Sequence, residues 1–356
     1  MTPRELVLAA LRGGHGPRVP FTVYECMIPQ CADERAMRNR GLCIVQRWPE
    51  VYTTHRPNVN VTQSIRWEGG KRLVHTVYET PVGSVSTLEE PAGFTVWRHE
   101  KMFRSPDDYR VLEFLIRDEV YAPNYEEFAR AEAWRGEDFI MRAGISAEPL
   151  QALVSGVMMS MEDFCVQWME NRDEVLRLYE ALVEKRRQVY PLVARSPATH
   201  ANYGGNVVPE IIGPDVFRDY YVPHYDEAAG VLHEHGKLIG CHFDANNRLI
   251  ADAIAATDLD YVEAFTPAPD TDMSLGEARA AWPDKVLWLN FPSSVHVRPD
   301  EGVEQFTVDM LDQVDSVDGL LVGITEDMPP GRWRGSCRAI MDGLERHARR
   351  RPDLYA

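Results

Sequence analysis

Lys237-Leu238-Ile239-Gly240-Cys241-His242-Phe243-Asp244-Ala245-Asn246 is the stretch whose reading decides the fold. A short apolar run ends in His-x-Asp and passes into a helix-like segment over 248–256. A buried parallel strand delivers polar side chains to its carboxyl end in this way. Side chains alternate faces along a strand, so His242 and Asp244 point the same way. Taken alone, an imidazole and a carboxylate placed like this fit a metal site, an acid–base pair or a core ion pair.

Outward from this strand the chain keeps a β–α rhythm. Towards the C-terminus, strands over 261–265, 286–290 and 319–324 alternate with helices over 274–282, 299–314 and 332–349. Towards the N-terminus come helices over 214–221 and 223–235, a strand over 198–203, and helices over 161–171 and 172–194. A helix over 148–154 and a strand over 138–143 precede them. Alternating strands and helices mean parallel pairing with right-handed crossovers. With strands over 18–24 and 42–46 the tally is about eight, and the economical architecture is a (β/α)8 TIM barrel. A doubly wound sheet is the alternative, but no G-x-G-x-x-G follows any strand, and there is no P-loop.

One region breaks the rhythm. Over 58–104, short alternating runs are separated by Gly69-Gly70 and Pro81-Val82-Gly83, the punctuation of hairpins. It reads as a small antiparallel β-hairpin insertion within a single barrel domain spanning 1–356. Helices over 3–12, 106–119 and 125–134 complete the pattern.

Composition bounds the function. With 38 Lys and Arg against 55 Asp and Glu, the net charge of −17 opposes a nucleic-acid partner, because phosphate contacts need basic side chains. The one basic cluster, over 346–351, suits the C-terminal dipole of the last helix. No run of roughly 18 apolar residues is present, so no membrane span is expected. The N-terminus lacks a basic-then-apolar signal layout, which makes the cytoplasm the expected compartment. Six scattered cysteines without a C-x-x-C pair read as free thiols.

A barrel carries its active site at the carboxyl ends of its strands. Those ends hold Asn202 and Tyr203, then His242 and Asp244, Glu263, Asn290 and Glu326. Carboxylates gathered in one mouth repel one another unless a cation sits among them. One His with three carboxylates, namely His242, Asp244, Glu263 and Glu326, suits zinc, manganese, iron(II) or cobalt. The competing reading pairs Glu263 and Glu326 with arginines such as Arg142. Tyr203 and His200 are candidate proton donors or substrate contacts. Asn202, Asn290 and Glu25 are candidate substrate-binding residues, although Glu25 and Glu148 equally suit structural or helix-start roles.

Several short motifs resemble one family in their order along the chain. They are Arg56-Pro57-Asn58-Val59, Thr80-Pro81-Val82-Gly83, Asn202-Tyr203-Gly204-Gly205, Pro214-Asp215-Val216-Phe217, Tyr221-Val222-Pro223, the His242-x-Asp244 pair, and Gly323-Ile324-Thr325-Glu326-Asp327-Met328-Pro329. Together, over residues 3–350, they resemble the uroporphyrinogen decarboxylase superfamily, and within it the corrinoid and coenzyme M methyltransferase branch. Cobalamin-independent methionine synthase is a more distant member. The resemblance implies a (β/α)8 barrel, zinc-dependent methyl or small-alkyl transfer, a small-molecule substrate, a corrinoid carried by a partner protein, and a homodimer.

Two departures qualify what it implies. Residues 24–30 lack the arginine that uroporphyrinogen decarboxylase proper carries near its start, so this chain is not expected to act on porphyrinogens. Zinc methyltransferases of the superfamily have His-x-Cys and a later Cys, where this chain has Asp244 and Glu326. Glu263, 21 positions after His242, matches an added Glu ligand in methionine synthase. The resemblance therefore implies a metal site with oxygen in place of sulfur. A decarboxylase or other lyase of a small carboxylated substrate is the second expectation, and a non-catalytic ligand-binding barrel the third.

Overall fold

The computed structural model describes residues 1–93 and 95–356. In it, Phe21–Tyr24, Leu42–Gln46, Phe139–Met141, Ala143–Gly144, His200–Tyr203, Leu238–His242, Tyr261–Phe265, Val286–Asn290 and Leu320–Ile324 form one parallel sheet. Neighbours in the sheet follow chain order, and Leu320–Ile324 returns to pair with Phe21–Tyr24. The two ends of the sheet are Phe139–Met141, beside Leu42–Gln46, and Ala143–Gly144, beside His200–Tyr203. Only Arg142 separates these two pieces, so the ring closes through the covalent chain. The architecture is α/β, and the nearly closed parallel ring is a TIM-like barrel.

The continuous strand expected over 138–143 is thus interrupted. Arg142 is the reason. Its backbone N–H still donates to the carbonyl of Gln46 at 3.0 Å, but its buried guanidinium is drawn to a carboxylate inside the ring. The helix expected over 214–221 is also longer, running Pro209–Tyr220. It kinks at Gly213, whose φ of 75° no helix adopts.

The chain divides into two compact units. The first, residues 1–51, 124–146 and 193–356, contains the parallel sheet. Its helix Pro3–Leu11 starts on a capping box, with the Thr2 hydroxyl accepting from the N–H of Glu5 and the Glu5 carboxylate accepting from that of Thr2. The helix then buries Val7, Ala10 and Leu11 in a cluster with Val45, Ile140, Tyr261, Trp288 and Leu321. Fully burying such an aliphatic side chain stabilises by about 1.5–3 kcal/mol.

The second unit, residues 52–123 and 147–192, holds two antiparallel sheets. Tyr52–His55 pairs with Val120–Pro123. Asn60–Glu68, Lys71–Thr80, Gly83–Ala92 and Thr95–Glu100 form a four-stranded meander. The first two turns of the meander are Gly69-Gly70, between Glu68 and Lys71, and Pro81-Val82, between Thr80 and Gly83. Among the described residues, no helix is long and apolar enough to cross a membrane. The six cysteines are free thiols.

Candidate metal centre at the strand ends

His242 closes the strand Leu238–His242, where one glycine makes room for the neighbouring Tyr261 and another for the histidine itself. Gly240, two residues earlier, lies under the ring of Tyr261, which a Cβ there would meet at 2.2 Å. Gly205 passes directly over His242. A Cβ on it would sit 2.4 Å from the Cβ of His242, and its φ of +130° is one that side-chain-bearing residues avoid. The next N–H, of Asn206, donates to the His242 carbonyl at 3.2 Å. The Gly204-Gly205 pair is therefore a close-approach turn that pins the histidine from above.

Glu263 sits on the adjacent strand and is completely buried. The ladder to Val286–Asn290 slips between Glu263 and Phe265, and Ala264 takes a φ of 58°. Such bulges re-aim side chains beside functional sites, and a non-glycine residue in this conformation costs about 1–3 kcal/mol. Four groups satisfy the carboxylate. Oε1 lies 3.0 Å from Arg142 Nη1 and accepts from the Tyr24 hydroxyl. Oε2 accepts from Asn202 Nδ2 at 2.7 Å and from His242 Nδ1 at 2.8 Å. The Asn202 amide is itself oriented by the Tyr261 hydroxyl, 2.6 Å from its Oδ1. Burial alone would raise the Glu263 pKa, but Arg142 and then His242 hold it well below the usual carboxylate range.

With Nδ1 donating to Glu263, the imidazole turns Nε2 towards Asp244, whose Oδ2 is 3.5 Å away, and loss of the Nε2 proton would free that nitrogen's lone pair for an ion. Glu326 completes a cluster in which one donor atom each from His242, Asp244 and Glu326 lies within 4.8 Å of the others. Burial opposes protonation of His242, yet Glu263 and Asp244 outweigh it and hold its pKa up at about 10. The Glu326 carboxyl is shifted upward, by burial first and then by the charge of Asp244. The three residues border a cavity of about 290 Å³ or lie beside it, together with Tyr24, Arg47, Arg142 and Asn206. A larger hollow of about 970 Å³ lies at the opposite ends of the strands, near Leu238, Asp260 and Val286. Among the described residues it holds no comparable cluster.

The donor set fits a divalent ion. It comprises one imidazole nitrogen oriented by a carboxylate behind it, and two carboxylates whose mutual repulsion a cation would relieve. Thr325 adds a buried hydroxyl on the cavity wall that lacks a hydrogen-bond partner.

The expected residues fall in different places. His242, Asp244 and Glu326 converge. Glu263 does not join them as a ligand, because both of its oxygens are committed to other partners, one of them Arg142. Tyr203 is turned away from the mouth, packing edge-on against Tyr225 of the helix Val222–His233 at 5.6 Å. His200 points into the barrel but one layer lower, between Tyr261 and Trp288, with its Nε2 unpartnered. Burial lowers its pKa to about 3, so it is a neutral core histidine. Asn202 lines the cavity with both ends of its amide already engaged. Asn290 donates to Thr266 and accepts from the N–H of Thr325, tying two strand ends together outside the cavity lining. Glu25 faces Arg47, whose Nε is 3.2 Å from both its oxygens. Glu148 is buried immediately before the helix Pro149–Ser155.

Sequence reasoning missed Tyr24, Arg47 and Asn206 as parts of the site. Tyr24 and Arg47 end or follow the first two strands, so the strand-end rule identifies them when it is applied from the start of the chain. Arg47 lies flat on the Tyr24 ring, its guanidinium 3.9 Å from the centroid.

No protein-family model and no curated protein matches this chain. Solved structures do, 28 chains in all. One of them is a methyltransferase from Methanosarcina mazei, at 12% identity over 100% of both chains, with a TM-score of 0.58. At that identity the likeness establishes the barrel fold.

Proposed function

We propose that the chain is a metal-dependent enzyme transferring a methyl or small alkyl group at the carboxyl-end mouth of its barrel. The reading rests on one observation. Glu263 fixes His242 so that its outer nitrogen meets Asp244 and Glu326. The barrel shared with a methyltransferase supports the reaction class. His242, Asp244 and Glu326 would hold the ion, zinc first, with manganese, iron or cobalt also suited to a nitrogen and oxygen donor set. When bound, a divalent ion there supplies Lewis-acid activation of a thiol or oxygen acceptor.

The chain's own residues do the rest. Glu263 keeps the Nδ1 proton in place, and Tyr24, Arg142 and Asn202 keep Glu263 ionised and oriented. Thr325 and Asn206 present polar groups to whatever enters. A cavity of about 290 Å³ suits a small acceptor. The donor we infer is a corrinoid on a partner protein, in line with the superfamily resemblance. Counting the two pieces around Arg142 as one strand makes the ring eight-stranded, as that superfamily requires.

Elemental analysis of purified protein, with and without His242→Ala, tests the metal. A screen of thiol and hydroxyl acceptors for methylation tests the chemistry. A second reading, cleavage of a small carboxylated substrate, is supported by Arg47, whose guanidinium lines the same cavity. Release of carbon dioxide without methyl transfer would favour it.

A further inference from the structure

The meander of the second unit has two free edges, and they differ. Thr95–Glu100 is guarded. It carries Arg98, His99 and Glu100, its ladder slips between Leu88 and Glu89, and ion pairs tie Arg98 to Glu89 and His99 to Glu90. Charges and irregular pairing are how natural sheets block edge-to-edge association. The other edge, Asn60–Glu68, has no such slip, and its two charges, Arg66 and Glu68, pair with each other at 3.2 Å within the strand. Its nine-residue ladder to Lys71–Thr80 is unbroken, it contains no proline or lysine, and every residue is exposed. Val61, Ile65 and Trp67 stand 51%, 52% and 69% exposed.

The hairpin fixes which backbone groups are free. Gly69 and Gly70 both have positive φ, and Glu68 lies opposite Lys71, the arrangement of a two-residue turn. Glu68 and Lys71 are then a hydrogen-bonded pair, and hydrogen-bonded residues alternate along an antiparallel strand. Asn60, Thr62, Ser64, Arg66 and Glu68 therefore bond inward. Val61, Gln63, Ile65 and Trp67 direct their N–H and C=O groups outward.

We propose that this edge pairs with the same edge of a second copy, antiparallel about a two-fold axis through Ser64. That register is the one in which every outward-facing residue meets another. Val61 pairs with Trp67 of the second copy and Gln63 with Ile65, each pair exchanging both backbone hydrogen bonds. The same pairing lays Trp67 against Val61 on one face, and it sets Asn60 opposite Glu68 and Thr62 opposite Arg66 on the other. No like charges face each other directly. The surface is self-complementary, as a two-fold interface must be.

Light scattering and sedimentation of the full chain at micromolar concentration give the test. The expected mass is twice the 40.5 kDa of one chain. Gln63→Pro removes an outward N–H without touching the inner ladder, and Ile65→Lys places a charge on the seam. Each should halve the mass while leaving the circular dichroism spectrum unchanged, and Ile65→Lys carries the test if the proline variant does not fold.

The register is read separately. Paired Ser64 Cα atoms would lie about 4.5 Å apart, within disulfide range. Ser64→Cys should therefore oxidise to a covalent dimer. In Thr62→Cys the two thiols are offset by about 13 Å along the strand, so that variant should not. A monomeric wild type, a dimer that survives in the folded seam variants, or equal cross-linking of the two cysteine variants overturns the proposal.

Discussion

The carboxylate of Glu263 accepts the Nδ1 proton of His242 at 2.8 Å, with the carboxylate fully buried and the histidine at the edge of the mouth. A carboxylate behind a histidine is how proteins fix a ligand's tautomer and raise its basicity.

Replacing Glu263 by Gln preserves shape and removes the charge. Zinc affinity should fall roughly 10- to 100-fold, and the uncompensated Arg142 should destabilise the fold by about 3–5 kcal/mol. Calorimetric titration and urea unfolding measure the two effects. An unchanged zinc affinity would remove Glu263 from the support of the site.

Glu326→Gln should move two observables in opposite directions. Its carboxyl is shifted upward by burial and by Asp244, so the amide raises the melting temperature of metal-free protein. The same change removes a ligand and lowers metal affinity. Two shifts of the same sign would contradict a shared ion.

Gly205→Ala tests the turn over His242. The added Cβ meets His242 Cβ at 2.4 Å and sits on a backbone of φ +130°. A loss of about 1–3 kcal/mol is expected from strain, with weaker metal binding because the imidazole is displaced. Gly204→Ala, at φ 44°, should disturb His242 less.

Two histidines set opposite limbs of the stability profile of metal-free protein. His200 has its pKa lowered to about 3, so below its unfolded value of about 6.5 the unfolded chain binds the extra proton and stability falls with pH. His242 has its pKa raised to about 10, so its contribution is complete below the unfolded value and is lost as pH rises towards 10. Each limb has a limiting slope of about 1.4 kcal/mol per pH unit. His296, lowered to about 4 by burial, adds to the acid limb. Stability should peak near pH 6.5. His200→Phe should flatten the acid side and His242→Asn the alkaline side, read by denaturant unfolding across pH. A profile unaltered in both variants would refute these assignments.

The barrel was legible because its strands are short apolar runs separated by amphipathic helices, a pattern set by burial alone. The strand-end rule also picked out His242, Asp244 and Glu326, which the fold brings within 4.8 Å of one another. Tyr203 lies outside the mouth because position parity decides which face a strand residue takes, and Asn202 beside it takes the inner one. Spacing does not distinguish Glu263 as a ligand from Glu263 as a support, because the two differ only in what lies behind the carboxylate. Arg142, named as an alternative partner, could not be ranked over a metal from spacing. The edge strand Asn60–Glu68 reads as an ordinary hairpin arm, since exposure on both faces leaves no mark on an alternating pattern.

Glu263 draws its partners from Tyr24, Arg142, Asn202 and His242, each on or beside a different strand of the ring. A ring assembled with any one of those strands out of register leaves the buried carboxylate short of a hydrogen-bond partner, and loss of Arg142 leaves it without its main counter-charge. The carboxylate that steadies the histidine therefore also proofreads assembly, rejecting misregistered barrels before there is any substrate to turn over.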